Sequence, residues 1–435
     1  MNKKNLVLLA AVIVIIIAIL YVENFKAPVG GNPDISNNLD TESDTSSSQQ
    51  AAALQDTNSK ENRYQTNTAN KINPRAKIIA QKEKKFKRAP ELVSPDGYIN
   101  LKKEGYTNYT DKITIGELLG KKVILIDFWT YSCINCQRTL PYITSWYDKY
   151  KDSGLEIIGV HTPEFEFEKK YENVLAAVNK WKIDYPIVQD NNYWTWQAFK
   201  NRYWPRKYII DIDGFIVYDH IGEGGYTETE RVIQGLLEER KEALASVLTE
   251  KEMGKIKEIN KEISEPEGIK QKEYSGFRIL TPELYLAAGT NRGNFGNKEG
   301  FSLGNTITYS LPKDFDIHNF YFDGDWLNNN DNTELKSANG KLVLKFAANE
   351  VNLVAGADKE IAVKVKIDGK PVELKNKGAH VEIADKNSIN GINNDIMKIK
   401  AFDLYNIYSS SDYGSHVIEL EAIEPGLMVY SFTFG

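Results

Sequence analysis

Cysteine is almost absent. The 435 residues contain two, Cys133 and Cys136, both in "TYSCINC" (130–136). A bridge across two intervening residues closes almost no loop and adds little stability, so the pair makes a poor structural staple. Histidine is also sparse, with five residues at 161, 220, 318, 380 and 416. A zinc or iron–sulfur site needs about four ligands. One C-x-x-C with scattered histidines does not supply them, so no metal is expected. Positive charge is not in excess either: the formal net charge is −6, which argues against nucleic acid as a partner. Internal repeats are lacking, and one long uncharged run exists, Leu6 to Val22, behind Lys3 and Lys4.

That run is at the short end for a spanning helix. A cleaved signal peptide is the alternative, but no small-x-small site follows closely. The reading is a cytoplasmic stub (1–4), a single transmembrane anchor (5–22) and export of the remainder, with the lysine pair held inside. Localisation is therefore expected at the cell membrane, with the C-terminal bulk extracytoplasmic. Residues 31–70 are Asn, Ser, Thr, Asp and Gln with almost no large apolar side chain, too little to offset ordering entropy. With the basic stretch after it, they make 23–88 a disordered tether with a basic end.

The texture from 89 to 249 is α/β. "GYINL" (97–101) suggests a short strand. "KVILIDFW" (122–129) and "LEIIGVH" (155–161) are apolar enough for buried strands. Helical spacing runs through 138–151, with a kink expected at Pro141, and through 166–182. A hairpin surrounds Asp213-Gly214, and a helix over 227–248 is expected to be capped by Thr227 with Glu230. Alternating elements of this kind imply a mixed sheet flanked by helices. A charged helical linker (250–270) ends at a Pro-Gly boundary. From 271 to 435, short β-rich runs between Asn, Asp and Gly turns suggest an all-β jelly roll or β-sandwich.

Cys133 follows a buried strand and precedes a helix. Free N–H groups and the helix dipole there favour an anion, which suits an attacking thiolate. Cys136 lies one turn on, close enough to resolve a mixed disulfide at Cys133. Asp127, inside the apolar strand, is an expensive buried carboxylate that could accept the Cys136 proton. Pro205 stands just ahead of a hairpin strand, where a proline must lack a ladder partner or be cis.

"ILIDFWTYSCINC", with Asp six residues before the first Cys and a later X-Pro leading into a hairpin, resembles the thioredoxin superfamily, in its redoxin (TlpA-like) branch. The stretches "GVHTPEF" (159–165), "YWP" (203–205) and "HIGEGGY" (220–226), and the closing "YSFTFG", are similar to the extracytoplasmic part of DipZ-type proteins. That resemblance implies an α/β thioredoxin-like domain followed by a carbohydrate-binding-module-like jelly roll. It implies Cys133 as nucleophile, Cys136 as resolving cysteine, Asp127 as proton acceptor and Pro205 as cis-proline. Trp204 would offer its backbone to a substrate strand, and Trp129 would shape the surface beside the sulfur.

The implied activity is thiol–disulfide exchange on protein substrates, with the dithiol as redox centre and no separate cofactor. DipZ-type proteins commonly carry a CcdA-like membrane part. This chain has one apolar segment, so electrons would come from a separate membrane donor. Two rivals share the fold. Thr130 and Cys133 form half of the peroxidase pattern P-x-x-x-T-x-x-C, but the proline position holds Ile126. A glycan-binding surface protein with an inert scaffold is the other, motivated by the jelly roll and by "DGDW" (323–326).

Overall fold

The computed structural model describes residues 74–101, 112–245, 248–254, 256–263, 265–266, 280–383 and 395–435. The expected stub, anchor and tether up to residue 73 lie outside them. Among the described residues no helix is long and apolar enough to cross a membrane.

The central fold is a seven-stranded sheet built from β1 (Lys87–Arg88), β2 (Gly97–Ile99), β3 (Val123–Trp129), β4 (Leu155–His161), β5 (Ile187–Gln189), β6 (Arg206–Ile210) and β7 (Phe215–Ile221). Its order is β1-β7-β6-β3-β4-β5-β2. β3, β4 and β5 run parallel, while β6 and β7 are antiparallel additions on the β3 side. Every residue of β3 and β4 is buried, as expected where both faces carry apolar layers. The period of two splits β3 cleanly. Val123, Leu125 and Trp129 pack with Cys136 and Leu140, whereas Ile124, Ile126 and Phe128 face the other way with Trp196 and Tyr208.

The helices of this part are α1 (Pro74–Lys85), α2 (Ile115–Leu118), α3 (Ile134–Tyr150), α4 (Tyr171–Lys180), α5 (Trp194–Ala198), α6 (Tyr226–Ala245) and α7 (Glu250–Met253). Four expectations are corrected. The linker 250–270, expected to be helical, is helical only over Glu250–Met253, and its described residues 256–263 and 265–266 carry no helix. The basic end of the expected tether is folded: α1 is held where Lys82 Nζ sits 2.6, 2.9 and 2.5 Å from Asp211, Asp213 and Glu239. The segment 166–182 is a short 3-10 turn, Glu166–Lys169, followed by α4. The break falls at Lys170, whose backbone is extended, while the Glu168 side chain accepts from the Glu164 and Phe165 N–H groups and closes the start of the turn. Finally, α6 begins at Tyr226, ahead of Thr227, and Glu230 accepts from Lys149 and Tyr150 instead of capping.

The C-terminal part is β-rich. Its strands are β8 (Leu284–Tyr285), β9 (Thr306–Tyr309), β10 (Asn319–Asn328), β11 (Thr333–Leu335), β12 (Gly340–Gly356), β13 (Ile361–Ile367), β14 (Lys370–Pro371), β15 (Val381–Glu382), β16 (Ile396–Ile399), β17 (Asp403–Ala422) and β18 (Met428–Phe434). The two long strands β12 and β17 pair with each other, with register shifts after Ala348 and after Val351. Beyond those shifts β12 also pairs with β18. Bulges of this kind bend a strand.

The two parts share packing. Tyr131, Phe165 and Phe167 of the α/β part belong to one apolar cluster with Tyr285, Leu404 and Tyr430 of the β-rich part. Phe167 is the centre of that junction, with ring centroids 4.6 Å from Tyr430 and 5.4 Å from Phe402.

Candidate active site

Cys133 is the N-cap of α3, with extended backbone, and its carbonyl accepts from Gln137 N at 3.0 Å. Its side chain makes no capping bond, so the sulfur is left to face outward. Cys133 is partly exposed, Cys136 is buried, and both are free thiols. Burial, then the neighbouring Cys133, push the Cys136 thiol well above its ordinary value. Cys136 therefore needs a proton acceptor before it can attack.

Asp127 is the candidate. It lies in the middle of β3, in register with Gly159 on β4 and Lys207 on β6. It is 1% exposed, and its Oδ1 has no hydrogen-bond partner among the described residues. Burial raises the carboxyl to about 7, with the Lys207 charge pulling the other way. A carboxyl with that value exchanges its proton near neutrality. Gly159 fits beside it because a Cβ there would meet Ile187 Cδ1 at 2.5 Å and Trp129 Nε1 at 3.0 Å.

Lys207 is the residue that sequence reasoning missed. It is wholly buried, donates to the Gly222 carbonyl at 3.2 Å, and is held below the usual lysine range by burial, opposed by Asp127 and Cys136. The available signal was position: a lysine two residues after Pro205, leading into the apolar run Tyr208–Ile210.

The Trp204–Pro205 peptide is cis. Trp204 shares a cavity of about 450 Å³ with Cys133, Ile134 and Asn135. Its indole Nε1 donates to the Thr162 carbonyl at 3.0 Å and its ring packs on Trp196 at 4.2 Å. Among the described residues no backbone group pairs with the Trp204 N–H or C=O, which leaves both for an incoming chain. Trp129 is a correction. Expected at the surface beside the sulfur, it has no exposed surface. Two residues on from Asp127, it shares that carboxylate's face and lies within the core, edge-on to His161 at 5.1 Å.

The motif's other residues face inward. Thr130 is fully buried, its Oγ1 3.5 Å from His161 Nε2. His161 is held down to about 3 by burial and is therefore neutral. Ser132 donates its hydroxyl to Glu168 at 2.6 Å. Tyr131 donates its hydroxyl to the Phe402 carbonyl at 3.0 Å, tying the motif to the β-rich part. That part also walls the cavity through Glu283, Tyr285 and Arg292, about 150 residues from the cysteines with no local pattern to reveal it.

Residues 120–216 match the family described as Thioredoxin-like, and residues 281–435 the one described as Thioredoxin like C-terminal domain. The thiol-disulfide oxidoreductase ResA of Bacillus thuringiensis is 31% identical over 126 residues, 29% of this chain and 67% of that protein. The chain belongs to the thioredoxin superfamily. A second thioredoxin-like relative, the thiol-disulfide oxidoreductase YkuV of Bacillus subtilis, is 28% identical over 150 residues, 34% of this chain and 94% of its own. Protein DipZ of Mycobacterium bovis is 31% identical over 347 residues, 80% of this chain and 43% of that protein. The similarity to DipZ thus runs through both the thioredoxin-like part and the β-rich part, while the chain spans less than half of DipZ's length.

Proposed function

We propose that this thioredoxin-superfamily oxidoreductase exchanges protein disulfides through the Cys133–Cys136 dithiol, anchored to the membrane by residues 5–22 with its folded parts extracytoplasmic. The reading rests on one arrangement: a partly exposed Cys133 in a cavity, Cys136 buried one helical turn on with its thiol pushed up, and a buried Asp127 carboxyl raised to about 7. The Cys133 thiolate attacks a substrate disulfide, forming a mixed disulfide and releasing one substrate thiol. Cys136 gives its proton to Asp127 and attacks the Cys133 sulfur, which releases the second substrate thiol and leaves the enzyme disulfide. Pro205 and the Trp204 backbone present the substrate strand.

Two electrons must then return from a separate donor, which the resemblance to DipZ-type proteins suggests is a CcdA-like membrane protein. The β-rich part serves as a jelly-roll wall to the site. The peroxidase alternative has less support, because Thr130 is fully buried and engaged with His161. The glycan-binding alternative loses one of its two motives, because Trp326 of "DGDW" is a core residue with no exposed surface.

The test pairs insulin disulfide reduction with peroxide consumption by the purified protein. Cys136→Ser should accumulate substrates covalently at Cys133, and Cys133→Ser should abolish reduction. Turnover of peroxide but not of insulin, or no effect of either variant, defeats the reading.

A further inference from the structure

The cavity at Cys133 is closed on one side by the β-rich part. Its volume of about 450 Å³ lies within the usual range for small-ligand pockets, roughly 300–1,000 Å³. Its lining carries acidic and basic side chains; burial raises both carboxyls, Glu283 above its ordinary value and Glu164 to about 8, so Glu164 holds its proton at neutral pH and Glu283 is left as the acid of the pair that can carry charge. Glu164 and Glu283 meet at the Tyr285 hydroxyl, whose one proton lies between an oxygen of each. Arg292 lies over the Tyr285 ring, 4.2 Å from its centroid. Arg202, from the loop leading to Pro205, also faces the cavity. None of these residues is needed for the dithiol chemistry. Carboxylates and guanidinium groups within one small cavity are the two halves of a recognition site for a zwitterion, since each forms charge-assisted hydrogen bonds with one end of it.

We propose that the cavity admits a low-molecular-weight disulfide of the cystine type, carrying an ammonium and a carboxylate beside each sulfur, as a substrate distinct from protein disulfides. This inference rests on the oxidoreductase reading and names a further substrate class for the same dithiol. Glu283, with Glu164 behind it, takes the ammonium, and Arg202 takes the carboxylate. This places the near sulfur against Cys133. The Cys133 thiolate attacks that sulfur. One amino-acid thiol leaves as its thiolate and takes a proton from solvent. Cys136 then attacks the Cys133 sulfur, passing its proton to Asp127, and the second amino-acid thiol leaves. Two electrons move from the dithiol to the small disulfide, which becomes two thiols, and no further reductant takes part in the single turnover.

The experiment uses the full chain, reduced beforehand and freed of reductant. Its oxidation is followed by tryptophan fluorescence against L-cystine, cystamine (ammonium only), dithiodiglycolate (carboxylate only), 2-hydroxyethyl disulfide (neutral) and insulin. Each rate is divided by that of the same disulfide with free dithiothreitol, which removes intrinsic reactivity. Cystine should exceed each of the three other small disulfides by at least about tenfold, the scale of one charge-assisted contact. Glu283→Gln and Arg202→Ala should each shrink the ratio of cystine to 2-hydroxyethyl disulfide to within about threefold. Equal normalised rates for all the small disulfides, or a normalised preference for insulin over cystine, would overturn the proposal and leave the oxidoreductase reading standing. Failure to oxidise with any disulfide would overturn both.

Discussion

Replacing Asp127 with asparagine keeps the shape of the side chain and removes its titration. The native carboxyl is raised from 3.8 to about 7 by burial. The folded state therefore holds its proton where the unfolded chain has already lost it. The stability linked to that proton is fully present below pH 3.8 and is lost as pH rises through about 7. At ~1.36 kcal/mol per pH unit, the native carboxylate costs roughly 4 kcal/mol by pH 8, about 1.5 kcal/mol at pH 5 and little near pH 4. Asp127→Asn should thus stabilise the reduced protein by an amount that grows with pH across this window, approaching ~4 kcal/mol at pH 8. The assay is urea unfolding at several pH values, followed by tryptophan fluorescence. Six of the seven tryptophans lie before residue 250 and so report on the α/β part. The same variant should slow release of substrate from the Cys133 mixed disulfide, since Cys136 loses its proton acceptor. A stabilisation that stays constant from pH 4 to pH 8 would refute the argument, because it would mean that Asp127 does not titrate in this range.

Lys207→Met removes the cation that pulls the Asp127 carboxyl down. The pH at which the resolving step accelerates should move up by about one unit or more, measured as release of thionitrobenzoate from a preformed mixed disulfide, and a downward or absent shift counts against the pairing. Phe167→Ala empties the centre of the junction with Tyr430 and Phe402 and should cost about 3–5 kcal/mol in chemical denaturation; a loss below ~1 kcal/mol would show that the junction is not a packed core. Gly159→Ala forces a methyl to within 2.5 Å of Ile187 Cδ1 and should destabilise by about 1–3 kcal/mol, read by the same unfolding curves.

The strands that carry the site were legible because burial on both faces leaves an uninterrupted apolar run. "LEIIGVH" coincides with β4 residue for residue, and "KVILIDFW" overshoots β3 by one. The face of each side chain was legible too, although it was misapplied. Asp127 beneath the dithiol commits Trp129, one strand period later, to the same buried side, and the aromatic was nevertheless expected at the surface. Long-range effects were harder to read. The separate turn Glu166–Lys169 is closed at its start by one carboxylate, Glu168, which accepts from the backbone behind it and from Ser132 beside it. A helical period carries no sign of such a bond. Lys207 looks like an ordinary strand charge until β6 is paired with β3, and only that register sets it against Asp127. The wall of Glu283, Tyr285 and Arg292 depends on how the two parts meet, which no local pattern encodes.

The bond from the Tyr131 hydroxyl to the Phe402 carbonyl joins a residue two positions before the nucleophile to the turn ahead of β17. Whatever coupling that link carries between the oxidation state of the dithiol and the state of the β-rich part must be thermodynamically reciprocal. A molecule that binds the β-rich part more tightly when the cysteines are reduced must raise their reduction potential by the matching amount, about 30 mV for each 1.4 kcal/mol of preference. Oxidation would then loosen that molecule by the same factor. A domain that walls the site in the structure thereby becomes, in energetic terms, an input to its redox poise.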